Sequence, residues 1–268
     1  MCKECGCSGH HHDHHHDHDH HHDHEGAHVH YRPDGSSYTH THSEGEKREI
    51  AVGSAILSAN DGVAEANRAW FRERKITVFN LISSPGAGKT SLLAETLKQL
   101  KEKNVAAAVI VGDQYGSYDA DRMKESSFPV TQIETHSSCH LDAARIQSVL
   151  EEAVPAGTEL LFIENVGNLV CPVAFDLGEQ AKVALLSTPE GEEKPLKYPA
   201  LFAAADIALL TKADLADALG CDMDLMEKNI RRIRPDAAIL RVSSRTGNGM
   251  DKWIEQLKKT NQNKEGVL

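Results

Sequence analysis

The amino-acid sequence predicts an α/β fold, a mainly parallel sheet flanked by helices, preceded by a histidine-rich tail. Three observations predict it. Apolar runs of strand length alternate along the chain with amphipathic runs of helix length, the pattern of a parallel sheet with crossover helices. A glycine-rich loop joins the first of these strands to a long helix. Fifteen of the 17 histidines lie before residue 43, so the first part of the chain differs in composition from the rest.

The bulk composition excludes several classes of partner. The net charge of −11 argues against binding to nucleic acid, which needs a basic face. The longest apolar run, at 105–111, is too short to cross a bilayer, and the N-terminus has no apolar segment typical of secretion. Three of the six cysteines are crowded at one end, a poor disulfide pattern for this length. We therefore expect a cytoplasmic protein whose cysteines bind metal and which contacts neither nucleic acid nor membrane.

The chain divides by composition into two parts. Residues 1–45 are polar and low in complexity, and "YRPDGSSYTHTHSEGE" has the Pro, Gly and Ser content of a linker. Because this tail has too few apolar residues to build a core, we expect it to be disordered without metal. Residues 46–268 are predicted to form one globular domain.

The first seven residues, "MCKECGC", contain three soft metal ligands. Cys2, Cys5 and Cys7 can wrap one ion, with the terminal amine as a fourth ligand, and their thiolates suit Ni²⁺, Zn²⁺ or Cu⁺. The imidazoles of the histidine run are mostly neutral at pH 7 and offer many exchangeable ligands. The segment therefore indicates a metal store beside a tight site. The alternative is a purification tag, although aspartates interrupt this run and tags are usually continuous.

The predicted elements of the globular part alternate between helix and strand. A leading helix precedes the strand "ITVFNLI", and a closing helix follows the last strand. The predicted strands are 76–82, 105–112, 159–165, 182–188, 206–212 and 237–243, and the predicted helices are 50–73, 89–104, 140–153 and 249–259. Ser138 is the predicted N-cap of the helix over 140–153.

The loop "SSPGAGKT" joins the strand over 76–82 to the helix over 89–104. Gly86 and Gly88 allow backbone N–H groups to turn inward and surround phosphate oxygens, while Lys89 reaches the β- and γ-phosphates and the Thr90 hydroxyl binds Mg²⁺. The full phosphate-loop pattern has a glycine where this chain has Ser83. The alternative is a glycine-rich turn before a helix. The predicted nucleotide-binding residues here are Ser84, Pro85, Gly86, Ala87, Gly88, Lys89, Thr90 and Ser91.

Two downstream segments predict that the base is guanine. In "LLTKAD", the Asp214 carboxylate can accept hydrogen bonds from N1–H and the 2-amino group of guanine, whereas adenine would leave the charge unpaired. Thr211 stands where guanine-binding motifs usually have Asn, and the Lys212 stem would lie along the ring. "VSSRTG" resembles the fifth GTPase motif, whose backbone near Ser243 and Ser244 touches the guanine O6, and Arg245 is also predicted to bind the nucleotide. The alternative for Asp214 is a helix N-cap.

Acidic residues at strand ends complete the predicted catalytic set. Glu164 ends the buried run "LLFIE", where an acid binds Mg²⁺ through water or senses the γ-phosphate. Gly167 follows at the spacing that lets its N–H contact that phosphate, which would make this segment a switch. Asp113 ends another strand and would position the attacking water or a metal-bound water. Lys89, Asp113 and Glu164 are the predicted catalytic residues, and the alternative for either acid is a loop cap.

A second group of ligands lies inside the globular part. "THSSCHLDA" contains Cys139 and His140, and "VGNLVCP" contains Cys171, seven residues beyond Glu164. Two thiolates and an imidazole make an incomplete tetrahedron, so such a site needs water, another residue or a second subunit. Cys221 stands alone and is predicted to be a small buried hydrophobic residue.

The motifs in combination resemble one family. "CKECGC" with its histidine run, "SSPGAGKTSLL", "GDQYGSYDADR", "CHLDA", "IENVGNLVCP", "EGEEKPLKYP" and "LLTKADL" are similar to the HypB family of hydrogenase nickel-incorporation GTPases. The resemblance covers nearly the whole chain. It implies a SIMIBI-type P-loop domain, from the dimer-forming class related to signal-recognition and MinD-like proteins, that hydrolyses GTP while nickel is delivered to the large subunit of [NiFe]-hydrogenase.

The same resemblance implies two metal sites and a set of partners. Cys2, Cys5 and Cys7 would form a tight nickel site. Cys139, His140 and Cys171 would form a nickel or zinc site at the interface of a GTP-dependent homodimer. The implied partner is a small zinc-containing nickel metallochaperone.

Three departures from the family pattern bear on these expectations. "THSSCH" has His and Ser where glycines are common, and Thr211 replaces the Asn that braces the base-binding loop. Ser83 and Ser84 stand where MinD-like relatives carry a lysine, which argues against catalysis by a lysine of a second subunit. Other functions with the same motifs are a nickel store with a regulatory G domain, a urease-accessory GTPase, and an ATP-dependent ligase or partitioning ATPase.

Overall fold

The computed structural model describes residues 27–31, 37–41, 44–113 and 127–262, with side chains from residue 53 onward. Within these ranges the chain forms two compact units, and the boundary between them falls between Ala59 and Asn60. The cysteines of the first seven residues and most of the histidine run lie outside the described residues. None of the described helices combines the length and the apolar character that crossing a membrane would require.

The described part of the first unit contains a hairpin. Strand β1 (Ala27–Tyr31) pairs antiparallel with β2 (Ser37–Thr41), with Tyr31 opposite Ser37. The sequence analysis predicts no strand here because the polar residues leave no apolar face, although Val, Thr and Tyr favour extended backbone. Helix α1 (Glu44–Glu73) follows and begins earlier than its predicted start at residue 50.

A seven-stranded, fully parallel sheet forms the centre of the second unit, which confirms the predicted fold class. The strand order is β5-β4-β6-β3-β7-β8-β9. The strands are β3 (Thr77–Ser83), β4 (Ala107–Asp113), β5 (Val130–Glu134), β6 (Leu160–Glu164), β7 (Ala181–Ser187), β8 (Ile207–Thr211) and β9 (Ala238–Arg241). Six of them match the prediction, and β5 was missed because its half-buried "VTQIE" is too polar for a core strand.

Helices cover the sheet and connect its strands. The longer ones are α2 (Lys89–Glu102), α3 (Ala143–Ala153), α8 (Met223–Ile233) and α9 (Met250–Gln262), and the short ones are α4 (Cys171–Ala174), α5 (Lys194–Lys197), α6 (Pro199–Ala204) and α7 (Ala216–Leu219). Helix α8 was not predicted, although its apolar residues follow helical spacing. Neither were the short helices, which are too brief to show a period.

The start of α3 corrects two predictions. The N-cap is Asp142, whose Oδ1 accepts a hydrogen bond of 2.8 Å from the Arg145 N–H. Ser138, the predicted cap, instead donates its hydroxyl to the His140 carbonyl at 3.1 Å. Cys139 and His140 therefore lie in the loop before the helix rather than in its first turn, and this loop sets their position.

Two apolar layers position the functional edge of the sheet. Alternate strand residues such as Phe79 and Phe162 face α2 and α9, and their rings stack with centroids 5.6 Å apart. The residues between them face α3 and the C-terminal part of α1. Register pairs Leu81 with Glu164, so β3 and β6 end side by side. Because all seven strands are parallel, their carboxyl ends meet at one edge, where ligand sites of open α/β sheets lie.

Candidate nucleotide and metal sites

The phosphate loop is built where β3 meets α2. Gly86 and Gly88 have φ angles of +73° and +100°, a region that glycine enters without strain. Gly88 directly precedes the first residue of α2, so the backbone N–H groups of the loop lie at the helix N-terminus. Anions bind favourably there because free N–H groups and the helix dipole both attract negative charge. The loop therefore has the backbone that a phosphate site needs.

Ser83 and Ser84 have defined roles in this loop. The Lys89 ammonium donates to the Ser83 Oγ at 2.9 Å, and both residues are buried. Ser83, which replaces a glycine of the phosphate-loop pattern, therefore positions Lys89, one of the predicted catalytic residues. Ser84 donates to the Glu190 Oε1 at 2.5 Å, and Glu190 also accepts from the backbone and hydroxyl of Ser187. Sequence reasoning missed Glu190, although it opens the motif "EGEEKPLKYP".

The predicted magnesium ligands are in direct contact. Thr90 donates its hydroxyl to the Glu164 Oε1 at 2.8 Å, and both residues are buried, at 8% and 3% exposure. Oxygen ligands are what Mg²⁺ prefers. The donor set therefore suits the ion that accompanies a nucleoside triphosphate.

A cavity of about 500 Å³ lies above the loop. This volume is in the range of small-molecule sites. All three predicted catalytic residues line it, together with Gly167 and Lys212. The full lining is Pro85, Gly86, Gly88, Lys89, Thr90, Ser91, Gly112, Asp113, Glu164, Asn165, Val166, Gly167 and Lys212.

The two segments predicted to bind the base lie together. Thr211 donates its hydroxyl to the Ala87 carbonyl at 2.6 Å, so the threonine ties the base loop to the phosphate loop directly. Lys212 donates to the Gly86 carbonyl at 2.8 Å. Ser243 donates to the Asp214 Oδ1 at 2.6 Å. Thus "TKAD" and "SSRTG" are in contact, with Ser244 half-buried and Arg245 exposed.

The second predicted ligand group is also brought together. Donor atoms of Cys139, His140 and Cys171 all lie within 4.8 Å of one another. Donors around one tetrahedral zinc stand about 3–4 Å apart, so small shifts would let all three reach one ion. His140 and Cys171 are buried and Cys139 is half-buried, which leaves one side of the cluster accessible. The Phe175 ring stacks on the His140 imidazole at a centroid distance of 3.9 Å.

Comparisons with known proteins identify the family of this chain. The family described as CobW/HypB/UreG, nucleotide-binding domain, matches residues 77–241. Over 229 residues the chain is 46% identical to the hydrogenase maturation factor HypB of Escherichia coli K12, covering 85% of this chain and 78% of the relative. A Rhizobium leguminosarum HypB is also 46% identical, over 230 residues. This chain belongs to the HypB family.

Solved structures of HypB proteins have the same fold. The crystal structure of the Archaeoglobus fulgidus HypB superposes with a TM-score of 0.71 at 35% identity, covering 76% of this chain and 99% of the other. The Helicobacter pylori HypB, solved in complex with nickel, gives a TM-score of 0.72 at 32% identity over 76% and 96% of the two chains. The predicted resemblance is confirmed.

Two residues near the candidate sites were not predicted from the sequence. Phe175 gave no signal, because an apolar residue after a short helix is ordinary core. Asn165 gave a weak signal, as a polar residue after a buried strand.

Cys221 differs from the prediction, since it is half-buried, and its thiol approaches the Met226 sulfur at 3.5 Å. Burial and the neighbouring Glu192 carboxylate raise the pKa of the Cys221 thiol, which keeps it protonated.

Proposed function

We propose that this chain is a cytoplasmic GTPase that binds Ni²⁺, and also Zn²⁺, and delivers nickel during maturation of [NiFe]-hydrogenase. One observation carries the proposal. Cys171 belongs to the segment that follows Glu164, and it lies within 4.8 Å of the donors of Cys139 and His140. A change at the terminal phosphate would therefore move a metal ligand, which links hydrolysis to metal release.

The residues around the cavity support GTP hydrolysis with Mg²⁺. Lys89 and the loop N–H groups would stabilise charge on the β- and γ-phosphates. Thr90 and Glu164 would hold Mg²⁺, and Asp113 would orient the attacking water. The Gly167 N–H would contact the γ-phosphate. Asp214, buttressed by Ser243, would select guanine through its N1–H and 2-amino group.

Two metal sites with different tasks follow from the donor sets. Cys2, Cys5 and Cys7 would hold nickel tightly next to the exchangeable histidine store. Cys139, His140 and Cys171 supply three donors, so a fourth must come from water or from a second copy of the chain. We propose that GTP promotes a homodimer that completes this site.

The partners proposed beyond the homodimer rest on the family resemblance. They are a small zinc-containing nickel metallochaperone and, as the final recipient, the hydrogenase large subunit.

A nickel titration in two nucleotide states tests the proposal. A Cys2→Ser/Cys5→Ser/Cys7→Ser variant leaves the second cluster as the principal source of Ni–thiolate charge-transfer absorption, which histidines do not produce. Saturating GDP and a non-hydrolysable GTP analogue should give different nickel affinities, because a nucleotide shifts metal binding only through its differential affinity for two states. Coincident titration curves contradict the linkage. Competition between GTP and ATP tests the specificity of the site for its base. Displacement of bound GTP by an equal concentration of ATP contradicts the selection of guanine.

A further inference from the structure

A buried asparagine lies between the two sites. Asn165 directly follows Glu164 and is 1% exposed. Its side-chain Oδ1 accepts two backbone hydrogen bonds, from Val166 at 3.0 Å and from Leu141 at 3.1 Å. Val166 belongs to the segment that leads to Cys171, and Leu141 is the residue after His140. One oxygen atom therefore joins the two loops that supply the metal ligands.

The same segment contacts the phosphate loop. A Cβ atom placed on Gly167 would meet backbone and ring atoms of Pro85 at 3.0 Å, which is tighter than nearly all real contacts. The segment after Glu164 thus lies directly against the loop that surrounds the phosphates. The Leu141 side chain also lies next to the nucleotide cavity. Gly112 lines that cavity, and a Cβ atom placed on Gly112 would be only 2.6 Å from the Leu141 side chain.

The far end of the Asn165 amide is anchored in the core. Its Nδ2 donates to the Asn80 Oδ1 at 3.2 Å, and the Asn80 amide donates to the Glu179 Oε1 at 3.1 Å. Glu179 in turn accepts the Leu177 N–H at 2.7 Å. Since each amide uses both its donor and its acceptor, the orientation of Asn165 is fixed by hydrogen bonding at both ends.

We propose that Asn165 is a positioning residue that transmits the nucleotide state to the metal ligands through its hydrogen bond to the Leu141 N–H. The inference rests on the proposed function, since it assumes a metal at the cluster and a nucleotide at the phosphate loop. A displacement of residues 164–167 must either carry Leu141 along or leave a buried N–H group unpaired. Unpaired buried donors are costly, so the loop with Cys139 and His140 follows the switch.

The fold supplies a matched control two residues further on. The Ala143 N–H donates to the Asn60 Oδ1 at 2.9 Å, also in a buried position. Asn60 lies on α1; its amide nitrogen donates to the Asp176 carbonyl at 2.8 Å, beyond Cys171, but Asn60 has no hydrogen bond to residues 164–167. Asn165→Ala and Asn60→Ala therefore each remove a buried side-chain acceptor from a backbone N–H group at the start of α3, but only the first breaks a connection to residues 164–167.

The test is the ratio of Ni²⁺ dissociation constants between the GDP-bound and GTP-analogue-bound forms of the full chain. Coupled sites typically change each other's affinity about 5- to 150-fold. We expect a ratio in this range for wild type and Asn60→Ala, and a ratio within about twofold of one for Asn165→Ala. An undiminished ratio in Asn165→Ala overturns the inference while leaving the proposed function intact. A ratio of one in the wild type instead overturns the coupling in the proposed function.

Hydrogen exchange on the wild-type chain provides a second measurement if Asn165→Ala does not fold. The Leu141 amide should stay protected in both nucleotide states, because its bond to Asn165 must persist if the loop is to follow residues 164–167. The Ala143 amide, held by Asn60, is the reference. Loss of Leu141 protection in one nucleotide state, with Ala143 unchanged, contradicts the inference, since the bond would then break instead of carrying the loop.

Discussion

The phosphate site and the cysteine–histidine cluster are built in opposite ways. Residues 83–91 are contiguous, and two glycines with positive φ at a helix N-terminus shape the loop. The residues of the cluster come from two separate segments, the loop before α3 and the start of α4. They meet only because the intervening strand β6 brings those segments to the same edge of the sheet.

From this difference we expect the phosphate loop to be rigid and the cysteine–histidine cluster to respond to shifts between its two segments. The phosphate loop is held by local backbone and by internal bonds such as Lys89 to Ser83. The cluster is held by side chains that are not themselves predicted metal ligands, among them Phe175 and Asn165. A ligand can therefore bind the first site without rearranging it, whereas small shifts between loops change the second.

The largest expected effect is on hydrolysis by Lys89→Ala. Removing one charged donor aimed at a transition state typically lowers kcat about 10²- to 10³-fold. Metal binding by the first seven residues should not change, because it does not use this loop. Steady-state GTP turnover with metal analysis of the same preparation measures both. Lys98→Ala is the control, since that lysine lies on the same helix with its side chain 68% exposed, and retained turnover in Lys89→Ala would show that the phosphate loop was misinterpreted.

The next effect is on metal affinity in Cys171→Ser. Loss of residues that only orient a ligand costs about 10- to 100-fold in affinity, so loss of a thiolate should exceed about 100-fold. Nucleotide affinity should stay within about twofold, because the thiolate does not line the cavity. Competitive titration with a metal indicator measures the affinity, with Cys221→Ser as the control. Equal losses in both variants would mean that the cluster is not the site.

A smaller effect is expected from Phe175→Leu. Leucine keeps the position apolar but removes the ring that stacks on His140. We expect metal affinity to fall about tenfold, the lower limit for groups that orient a ligand. GTP affinity in the same variant should be unchanged, which is the internal control. A parallel loss of GTP affinity would show that the cluster and the phosphate loop are not held by separate contacts.

The smallest effect concerns the loop that follows Phe175. Burial by itself would raise the pKa of the Asp176 carboxyl, but the Gly178 N–H and the Arg68 guanidinium, 2.6 Å away, lower that pKa below 3.8. Arg68→Met should lower the free energy of unfolding at pH 7 by no more than about 1 kcal/mol, because both side chains are a third exposed.

The sign of the pH dependence follows from the lowered pKa of Asp176. The pair stabilises the fold fully above the ordinary Asp pKa of 3.8, and that stabilisation is lost as pH falls through the lower folded-state value. The difference in melting temperature between Arg68→Met and wild type should therefore shrink below pH 3.8. A difference that stays constant through the acid range contradicts the role given to the pair.

By itself the sequence determined the parallel sheet and the phosphate loop, and it predicted Cys139, His140 and Cys171 as metal ligands. These features depend on local periodicity, on glycine at fixed positions and on the chemistry of single side chains, which are all legible along the chain. It did not determine that Asp142 caps α3, which placed Cys139 and His140 outside the helix.

Only the tertiary structure decided which distant groups meet. The bond from Thr211 to Ala87, the ring of Phe175 on His140 and the bond from Leu141 to Asn165 each join residues from different elements. Such contacts depend on how helices and strands pack around a common core, and a buried asparagine accepts whichever N–H group the packing presents. For that reason the three residues of the cluster could be predicted from the sequence, whereas the contacts of Asn165 with both loops could not.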